Sequence, residues 1–241
     1  MNAPDITIVI PIASTDQTWM KLADDLSKID DRLEILFATS RKPEKDIDDE
    51  IHLLRKKHDV RWLVSEPGRA RQLNNGASQA TREWLWFLHA DSRLPKSTWE
   101  ALRKQLHNPD RQNIYYFDLK FSDGGPALMW LTELGTKFRI STWGLPYGDQ
   151  GFVMRHDDFA QMGGFNEKYR VGEDHHFMWH CFTNGIKITK INSPIYTSAR
   201  KYKNLGWLNT TLRYNAVGMQ QAWHFGWNKR LKDLQIGRAH V

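Results

Sequence analysis

The sequence has almost no cysteine and no long hydrophobic run. Cys181 is the single cysteine among 241 residues, which excludes an internal disulfide and a cluster of thiolate metal ligands. The apolar stretch at residues 6–12 is interrupted by Pro11 and follows no basic region, so we expect neither a signal peptide nor a membrane span there. Repeats and low-complexity segments are also absent from the sequence. We therefore expect a protein of the reducing cytoplasm.

What the sequence does have is a basic charge balance and enough apolar residues for one sizeable core. Hydrophobic residues make up 40% of the chain and the formal net charge is +6, with a sequence pI of about 9.3. A chain of this size fits one domain, with room for a terminal appendage. A basic surface suggests an anionic partner, which is a nucleotide, a nucleic acid or an acidic membrane. Because no nucleic-acid recognition motif is present, we expect no nucleic-acid partner.

Apolar patterns typical of strands and of helices alternate along the first half of the chain. This alternation predicts an α/β fold with a mostly parallel, helix-covered sheet and right-handed crossovers. We predict strands at residues 6–10, 33–38, 60–64, 84–88 and 114–121, with helices at 19–29, 46–58, 67–80 and 96–106. After residue 124 we predict a helix at 128–138, a turn-rich segment at 143–151, a strand at 151–155, a short helix capped by Asp157 or Asp158, a helix from 173 to 184 ended by Gly185, a strand at 186–191 and an aromatic-rich helix at 205–234.

The apolar run WLWFL at residues 84–88 ends abruptly before a carboxylate, that of Asp91. A short apolar run with polar residues on both sides is typical of a buried strand. Because ligands gather outside the carboxyl ends of parallel strands, Asp91 is a candidate ligand-binding residue. A turn or a helix cap made by Asp91 and Ser92 explains the same residues equally well. Both interpretations stand at this point.

A basic helix start precedes that strand in the chain. Arg69 and Arg71 fall in the first turn of the helix predicted at residues 67–80. Unpaired backbone N–H groups at a helix N-terminus and guanidinium groups both attract anions. A solvated basic helix start is the alternative. We favour an anion site, because Gly68 and Gly76 let the backbone approach a ligand closely.

Glu173 and Asp174 stand at the start of another predicted helix. An Asp held there could deprotonate a hydroxyl acceptor. Acidic residues in a first helical turn also favour the helix dipole, and by themselves these two are more often capping than catalytic. His176 and His180 form an i, i+4 pair that resembles metal ligands, but the pair lacks the Glu of a His-Glu-x-x-His motif, so we do not assign zinc.

Five blocks, in order along residues 6–202, resemble the family 2 glycosyltransferases of the GT-A fold. They are especially similar to the bacterial subgroup of radical-SAM/selenodomain-associated transferase 2. The blocks are VIP at residues 9–11, GRARQLNNGA at 68–77, FLHADSRLP at 87–95, GDQGFVMRHDDFAQMGGF at 148–165 with ED at 173–174, and TSARKY at 197–202. Each block is weak by itself, but their ordered set is specific.

The resemblance implies a nucleotide-diphosphate sugar as donor and a hydroxyl group as acceptor. Asp91 matches the remaining carboxylate of the family's Asp-x-Asp metal motif, and a single carboxylate suits Mg²⁺ or Mn²⁺ completed by substrate phosphates. Asp174 matches the catalytic base of an inverting single displacement. The donor-binding residues implied are Pro11, Ile12, Ala13, Arg69, Arg71, Asn75, His89, Ala90 and Arg200. Gly148, Asp149, Gln150 and Glu173 fall where the family builds its sugar and acceptor pocket.

The sequence departs from the family pattern in two places. The acidic segment that usually follows the second strand is replaced by ATSR at residues 38–41. His89 stands in place of the first Asp of the Asp-x-Asp motif, and a neutral imidazole is a poorer ligand than a carboxylate for hard Mg²⁺. We therefore assign the metal to Asp91 alone.

The resemblance divides the chain into a catalytic domain and an extension. We expect a GT-A domain at residues 1–204, with its nucleotide-binding half at about 1–120 and its acceptor half at about 121–204, and a helical extension at 205–235. Residues 236–241 match what a common sequencing adapter would encode, so we expect a non-native tail. The aromatic residues of the extension favour core packing. Because cations flank them, a peripheral contact with the inner membrane face, with a lipid-linked acceptor, stays open.

Two functions of different classes compete on the sequence alone. The first is metal-assisted glycosyl transfer of the hexosyltransferase class. The second is non-catalytic binding of a nucleotide or carbohydrate by a protein that kept the fold and lost its acidic donor contacts. Transfer or hydrolysis of a nucleotide sugar separates the two.

Overall fold

The structure of the protein is a computed structural model. It describes residues 4–13, 16–41, 51–110, 112–122 and 146–200, together with Thr132, Leu134, Gly135, Gly206, Leu208, Thr211, Ala216, residues 218–221, Trp223 and Phe225.

Strands and helices alternate in the described ranges as far as β5. In chain order the elements are β1 (Ile6–Ile12), α1 (Trp19–Ser27), β2 (Glu34–Thr39), α2 (His52–Lys57), β3 (Asp59–Val64), α3 (Arg69–Gln79), β4 (Trp84–Phe87), α4 (Lys96–His107) and β5 (Asn113–Phe121). A 3₁₀ turn (Gly148–Gln150), β6 (Phe152–Arg155), α5 (His156–Gln161), α6 (Glu173–Thr183) and β7 (Lys187–Thr197) follow.

The described strands form one seven-stranded sheet in the order β3-β2-β1-β4-β6-β5-β7. Neighbours among β1 to β4 are parallel, as are β5 and β7. Only β6 runs against its neighbours, β4 and β5. The predicted α/β class and mostly parallel sheet are therefore confirmed, and the parallel half places the carboxyl ends of β1 and β4 side by side.

The central strands are buried on both faces, because helices cover the sheet on both sides. Every residue of β1 and β4 is buried, which explains their continuous apolar sequence. Helix α3 lies very close to β1, since a Cβ atom built on Gly76 would overlap the Val9 side chain. This contact fixes the third turn of α3 against the middle of β1.

Several boundaries differ from the predicted ones. Neither Asp157 nor Asp158 caps α5, whose N-cap is Arg155 without a side-chain cap bond, so that prediction is wrong. β7 runs six residues beyond its predicted end at Ile191, because pairing with β5 continues past a register shift between Phe117 and Asp118. Gly185 follows α6 with φ +85°, as predicted for a left-handed helix end.

Some predictions fall where the structure gives no description. Most of the helix predicted at residues 128–138, residues 143–145 of the turn-rich segment, residues 46–50 of the helix at 46–58, most of the last helix and the tail at 236–241 lie outside the described residues. Among the described residues, no helix combines the length and the apolar character that crossing a membrane requires.

Candidate active site

Asp91 lies in a tight turn directly after β4. The Ser92 N–H donates to the His89 carbonyl at 3.0 Å and closes this turn. The next helix, α4, has Pro95 as its N-cap and no side-chain cap bond, so Asp91 does not cap it. Arg93 anchors the far side of the turn, because its guanidinium pairs with Asp25. Asp91 is thus held, half-buried, at the carboxyl edge of the sheet.

The end of β1 lies beside this turn. The Leu88 N–H donates to the Val9 carbonyl at 3.1 Å, which extends the pairing of the two strands. Gln72 of α3 donates its side-chain N–H to the Ile12 carbonyl at 2.9 Å. Pro11 and Ile12 are buried and Ala13 is exposed. The predicted donor-binding residues of β1 therefore share one edge with Asp91.

Arg69 joins this edge to the start of α6. Gly68, with φ +136°, precedes Arg69 at the beginning of α3. One guanidinium nitrogen of Arg69 pairs with Glu173 and lies 3.4 Å from Asp174 Oδ2, and the other contacts His89 Nε2. Arginine has no acceptor, so the His89 Nε2 accepts and its proton is on Nδ1. Arg69 thus contacts one residue 20 positions away and two residues 104 and 105 positions away in the sequence. Its planar fork of N–H donors can bond several acceptors at once.

Asp174 is the second residue of α6 and accepts two backbone N–H groups. Its Oδ2 accepts from Gly148 at 2.8 Å and its Oδ1 from His175 at 2.8 Å. Burial acts to raise the pKa of Asp174, but the charge of Arg69 and the two backbone N–H groups outweigh it and lower the pKa to about 2. The Asp174 carboxyl is therefore ionised throughout the physiological range.

Glu173 is the more buried of the two neighbouring carboxylates. Burial raises its pKa, assisted by the charge of Asp174, and the attraction of Arg69 does not overcome this. Two acids that share one guanidinium at close range cannot both be fully stabilised as anions. The carboxylate of Asp174 is the better stabilised of the two anions, because it also accepts the backbone N–H groups of Gly148 and His175.

Gly148 leaves no room for a side chain at the site. A Cβ atom there would overlap Asp174 Oδ2 and lie 2.9 Å from an Arg69 guanidinium nitrogen. The neighbouring Gln150 is buried and donates to the Phe117 carbonyl at 2.9 Å. It also accepts the Tyr147 N–H at 3.1 Å. The 3₁₀ turn is thereby fixed to β5, with its first N–H directed at Asp174.

Other predicted site residues lie further from this centre. Arg71 is exposed and lies 3.4 Å from Glu167. It is two positions from Arg69, and residues two apart on a helix do not share a face. Arg200 pairs with Asp16 at 3.6 Å, close in sequence to the end of β1. Asn75 and Asp149 are half-buried and Ala90 is buried. The donor and pocket roles of these residues stay predictions.

Sequence reasoning missed Gln72, Tyr147 and Gln221. Gln72 is a buried polar residue on the apolar face of α3. Its position between Ala70 and Leu73 was the one feature of the sequence that could have indicated its burial. Tyr147 contacts the His175 ring edge-on, with ring centroids 4.8 Å apart. Gln221 lies 46 positions from His175, to which it bonds. No local pattern announces such a contact.

The residues around Asp91 can be compared with the ligands that a divalent cation of the implied kind requires. Within the described ranges, no group of three or more His, Cys, Asp or Glu side chains could enclose a metal. Mg²⁺ and Mn²⁺ do not need such a group when phosphates and water supply most ligands. One half-buried carboxylate at the sheet edge fits that kind of site. The rings of His175 and His176 face Tyr147 and Tyr169 respectively, away from each other.

The model of the family described as Glycosyl transferase family 2 matches residues 21–163, which is more than half of the chain. The chain belongs to glycosyl transferase family 2. No curated protein matches the sequence.

Solved structures of glycosyltransferases share the fold. TarS of S. aureus has a TM-score of 0.62 at 16% identity, covering 83% of this chain and 37% of that one. A TarS fragment of residues 1–349 with UDP-GlcNAc has the same score and identity, covering 80% and 58%. The mannosyltransferase PcManGT from Pyrobaculum calidifontis, with GDP-Man and Mn²⁺, has a TM-score of 0.61 at 13% identity, covering 88% and 65%. This chain therefore spans less than two thirds of each of these structures, and its fold is that of the GT-A glycosyltransferases.

Proposed function

We propose that this member of glycosyl transferase family 2 moves a sugar, of the hexosyl class, from a nucleotide-diphosphate sugar to a hydroxyl acceptor with inversion. The observation that carries the proposal is the meeting of Asp174, Arg69 and the turn of Asp91 at the carboxyl edge of β1 and β4. That edge is where open α/β sheets bind nucleotides. The UDP-GlcNAc bound by TarS and the GDP-Man bound by PcManGT support a donor of this class.

Asp174 is the proposed catalytic base. It accepts the proton of the acceptor hydroxyl while that oxygen attacks the anomeric carbon, and the bond from this carbon to the diphosphate breaks with its electron pair on the leaving oxygen. A single displacement of this kind inverts the anomeric carbon. Arg69 and Arg200 supply positive charge for the leaving diphosphate. Glu173 and the backbone of Gly148 hold Asp174 in place.

Arg69 serves two groups of anions in this proposal. In the structure its guanidinium lies on the carboxylates of Glu173 and Asp174. A donor diphosphate that draws Arg69 away removes the closest cation from Asp174, so the pKa of Asp174 rises above its value of about 2. The base is therefore stronger with donor bound than without it.

Asp91 is the proposed ligand of Mg²⁺ or Mn²⁺, shared with the donor phosphates. When bound, the cation supplies Lewis-acid stabilisation of the leaving diphosphate. PcManGT was solved with Mn²⁺, which supports this class of ion. His89 does not compete for it, because its Nε2 already accepts from Arg69.

The proposal has two finer parts. The chain is of the radical-SAM/selenodomain-associated transferase 2 subgroup, as the TSAR segment at residues 197–200 supports. Residues 1–204 form the catalytic domain and 205–235 an extension that touches an anionic membrane, where a lipid-linked acceptor resides. Leu208, Met219 and Trp223 of this extension are helical and 60%, 61% and 72% exposed. Residues 201–232 contain six Lys or Arg and no Asp or Glu, as interfacial helices often do.

The competing function is non-catalytic nucleotide or carbohydrate binding, which the replaced acidic segment at residues 38–41 favours. A panel of nucleotide sugars with Mn²⁺ separates the two. A donor that stabilises the protein identifies the ligand, and its transfer or slow hydrolysis identifies an enzyme. We expect Asp174→Asn to abolish turnover while leaving the dissociation constant of the donor within a few-fold. Asp157→Asn, at an exposed position of α5, is the matched control. Equal turnover in Asp174→Asn and wild type removes the base assignment.

A further inference from the structure

Gln221 reaches the start of α6 from the C-terminal extension. Its side chain is buried, whereas that of the adjacent Gln220 is exposed. Residues 218–221 are helical, and so is Phe225. The spacing of Gly218, Gln221 and Phe225 places all three on one face of that helix. This face lies against α6.

The Gln221 amide makes two hydrogen bonds that flank the carboxylate pair. Its Nε2 donates to the Gly172 carbonyl at 2.9 Å, and its Oε1 lies 2.6 Å from His175 Nδ1. A carbonyl can only accept, so the nitrogen of the amide faces Gly172 and the oxygen is left to accept from His175. Gly172 precedes Glu173, and His175 follows Asp174. One side chain thus spans the short segment that carries both acids.

The contact between Gln221 and His175 is linked to both backbone N–H groups that donate to Asp174. One donor is the backbone of His175 itself, and the other is Gly148. Tyr147, the neighbour of Gly148, packs edge-on against the His175 ring that Gln221 holds. Gly218 completes this packing, because a Cβ atom there would lie 2.6 Å from Tyr147 Oη. The extension therefore contacts His175 and Tyr147, the residues beside the two N–H donors of Asp174.

A second, apolar contact holds the extension against α6. Phe225 stacks on Trp179, with ring centroids 5.9 Å apart and planes 7° apart, and its ring also meets His176 at 5.0 Å. These contacts hold the extension at His176 and, one helical turn beyond His175, at Trp179. Loss of the Gln221 amide by itself therefore leaves the extension docked and changes only its polar contact.

We propose that Gln221 is a positioning residue for Asp174, an inference that rests on the proposed role of Asp174 as base. By fixing the Gly172 carbonyl and the His175 ring, Gln221 sets the rotation of the first turn of α6, and with it the aim of the Asp174 carboxylate. The donor site at the ends of β1 and β4 lies on other elements. Loss of Gln221 therefore slows the proton transfer step and spares donor binding.

Gln221→Met is the test variant, since it keeps the length of the side chain and removes both hydrogen bonds. Gln220→Met is its matched control, one residue away and exposed. We expect kcat of Gln221→Met to fall about 10- to 100-fold, because a misplacement of about 1 Å costs about that much, with donor KM changed less than about threefold. Gln220→Met keeps both values of the wild type. Equal kcat in the two variants, or a parallel loss of donor binding in Gln221→Met, overturns the inference.

The pKa of Asp174, measured by ¹³C NMR of labelled aspartate carboxyls, gives a readout that needs no turnover. We expect it to rise in Gln221→Met from about 2, because misaligned N–H groups stabilise the carboxylate less. If the wild type transfers no sugar, the proposed function fails, and an unchanged pKa then separately overturns the positioning role. If Gln221→Met does not fold, His175→Phe removes one of the two hydrogen bonds from the other side and must also raise the pKa of Asp174.

Discussion

The charge state of Asp174 is decided by a competition between burial and nearby donors. Burial disfavours the carboxylate, and Arg69 and two backbone N–H groups more than compensate, so the pKa falls from 3.8 to about 2. A group whose pKa is lowered in the folded state stabilises the fold above its unfolded pKa. That contribution is lost as the pH falls through the folded pKa.

Removal of the Asp174 charge tests whether the ionised carboxylate stabilises the fold. The stabilisation is worth about 2 kcal/mol at neutral pH, from a shift of roughly two pKa units. We expect the free energy of unfolding, measured with urea, to fall between about pH 4 and pH 2 in both proteins. The fall in wild type should exceed the fall in Asp174→Asn by about 2 kcal/mol. Parallel pH profiles of the two proteins contradict the assigned pKa.

The close packing around Gly148 predicts that a side chain at this position would reduce both stability and turnover. In Gly148→Ala the new methyl group must displace Asp174 or Arg69. We expect a loss of stability of about 1–3 kcal/mol, as for other overpacked sites, and a loss of turnover larger than about tenfold. Gly135→Ala is the control, because nothing lies within 4 Å of a Cβ atom there. Similar melting temperatures for both variants argue against the close fit at Gly148.

At the scale of elements, the position of Arg69 depends on how closely α3 approaches β1. Gly76 permits this approach, since a Cβ atom there would overlap the Val9 side chain. The first turn of α3 carries Arg69, and its third turn is fixed by this contact. The distance from helix to strand therefore determines where the guanidinium lies.

A paired substitution tests the contact between α3 and β1. We expect Gly76→Ala to destabilise the protein by about 1–3 kcal/mol through overpacking. Val9→Ala in the same chain removes the obstructing methyl groups and should recover part of that loss, which a double-mutant cycle measures as coupling. Ser78→Ala, at an exposed position of α3, should change stability by less than about 0.5 kcal/mol. Strictly additive effects of the two substitutions show that the contact is absent.

Some helices, strands and site residues could be predicted from the sequence, whereas the contacts between distant elements could not. Apolar periodicity predicted the strands of the parallel half and the helices between them, because burial imposes that periodicity directly. The ordered motifs located Asp91, Arg69 and Asp174. Periodicity could not say that Arg69 turns toward Asp174 while Arg71 faces Glu167, since both occupy one helical turn. Contacts across 46 or more positions, such as Gln221 to His175, leave no local signal.

At the scale of the whole molecule, basic charge and exposed apolar side chains coincide in one segment. The six cations of residues 201–232 equal the formal net charge of +6 of the entire chain. The remaining 209 residues are therefore close to neutral, by subtraction from the 241 of the chain. An anionic surface should attract the protein mainly through residues 201–232, most of which belong to the extension.

Vesicle co-sedimentation tests this attraction. We expect the protein to bind vesicles that contain phosphatidylglycerol and to dissociate from them as the salt concentration is raised. Vesicles of pure phosphatidylcholine should not bind the protein. Trp223→Ser should weaken binding several-fold, because its ring is 72% exposed. Leu53→Ser, at a position 66% exposed on α2, is the matched control. Equal binding by both variants shows that the extension is not the contact.

The sheet order also governs when the site can form during synthesis. β1, β2, β3 and β4 pair among themselves as soon as residues 6–87 have emerged. β5, in contrast, has only β6 and β7 as neighbours, so it waits for at least residue 152. Chains synthesised from the N-terminus can thus assemble the edge formed by β1 and β4 first. The carboxylates of α6, and Gln221 after them, join a half-sheet that already exists, so the proposed catalytic base is completed after the proposed donor site.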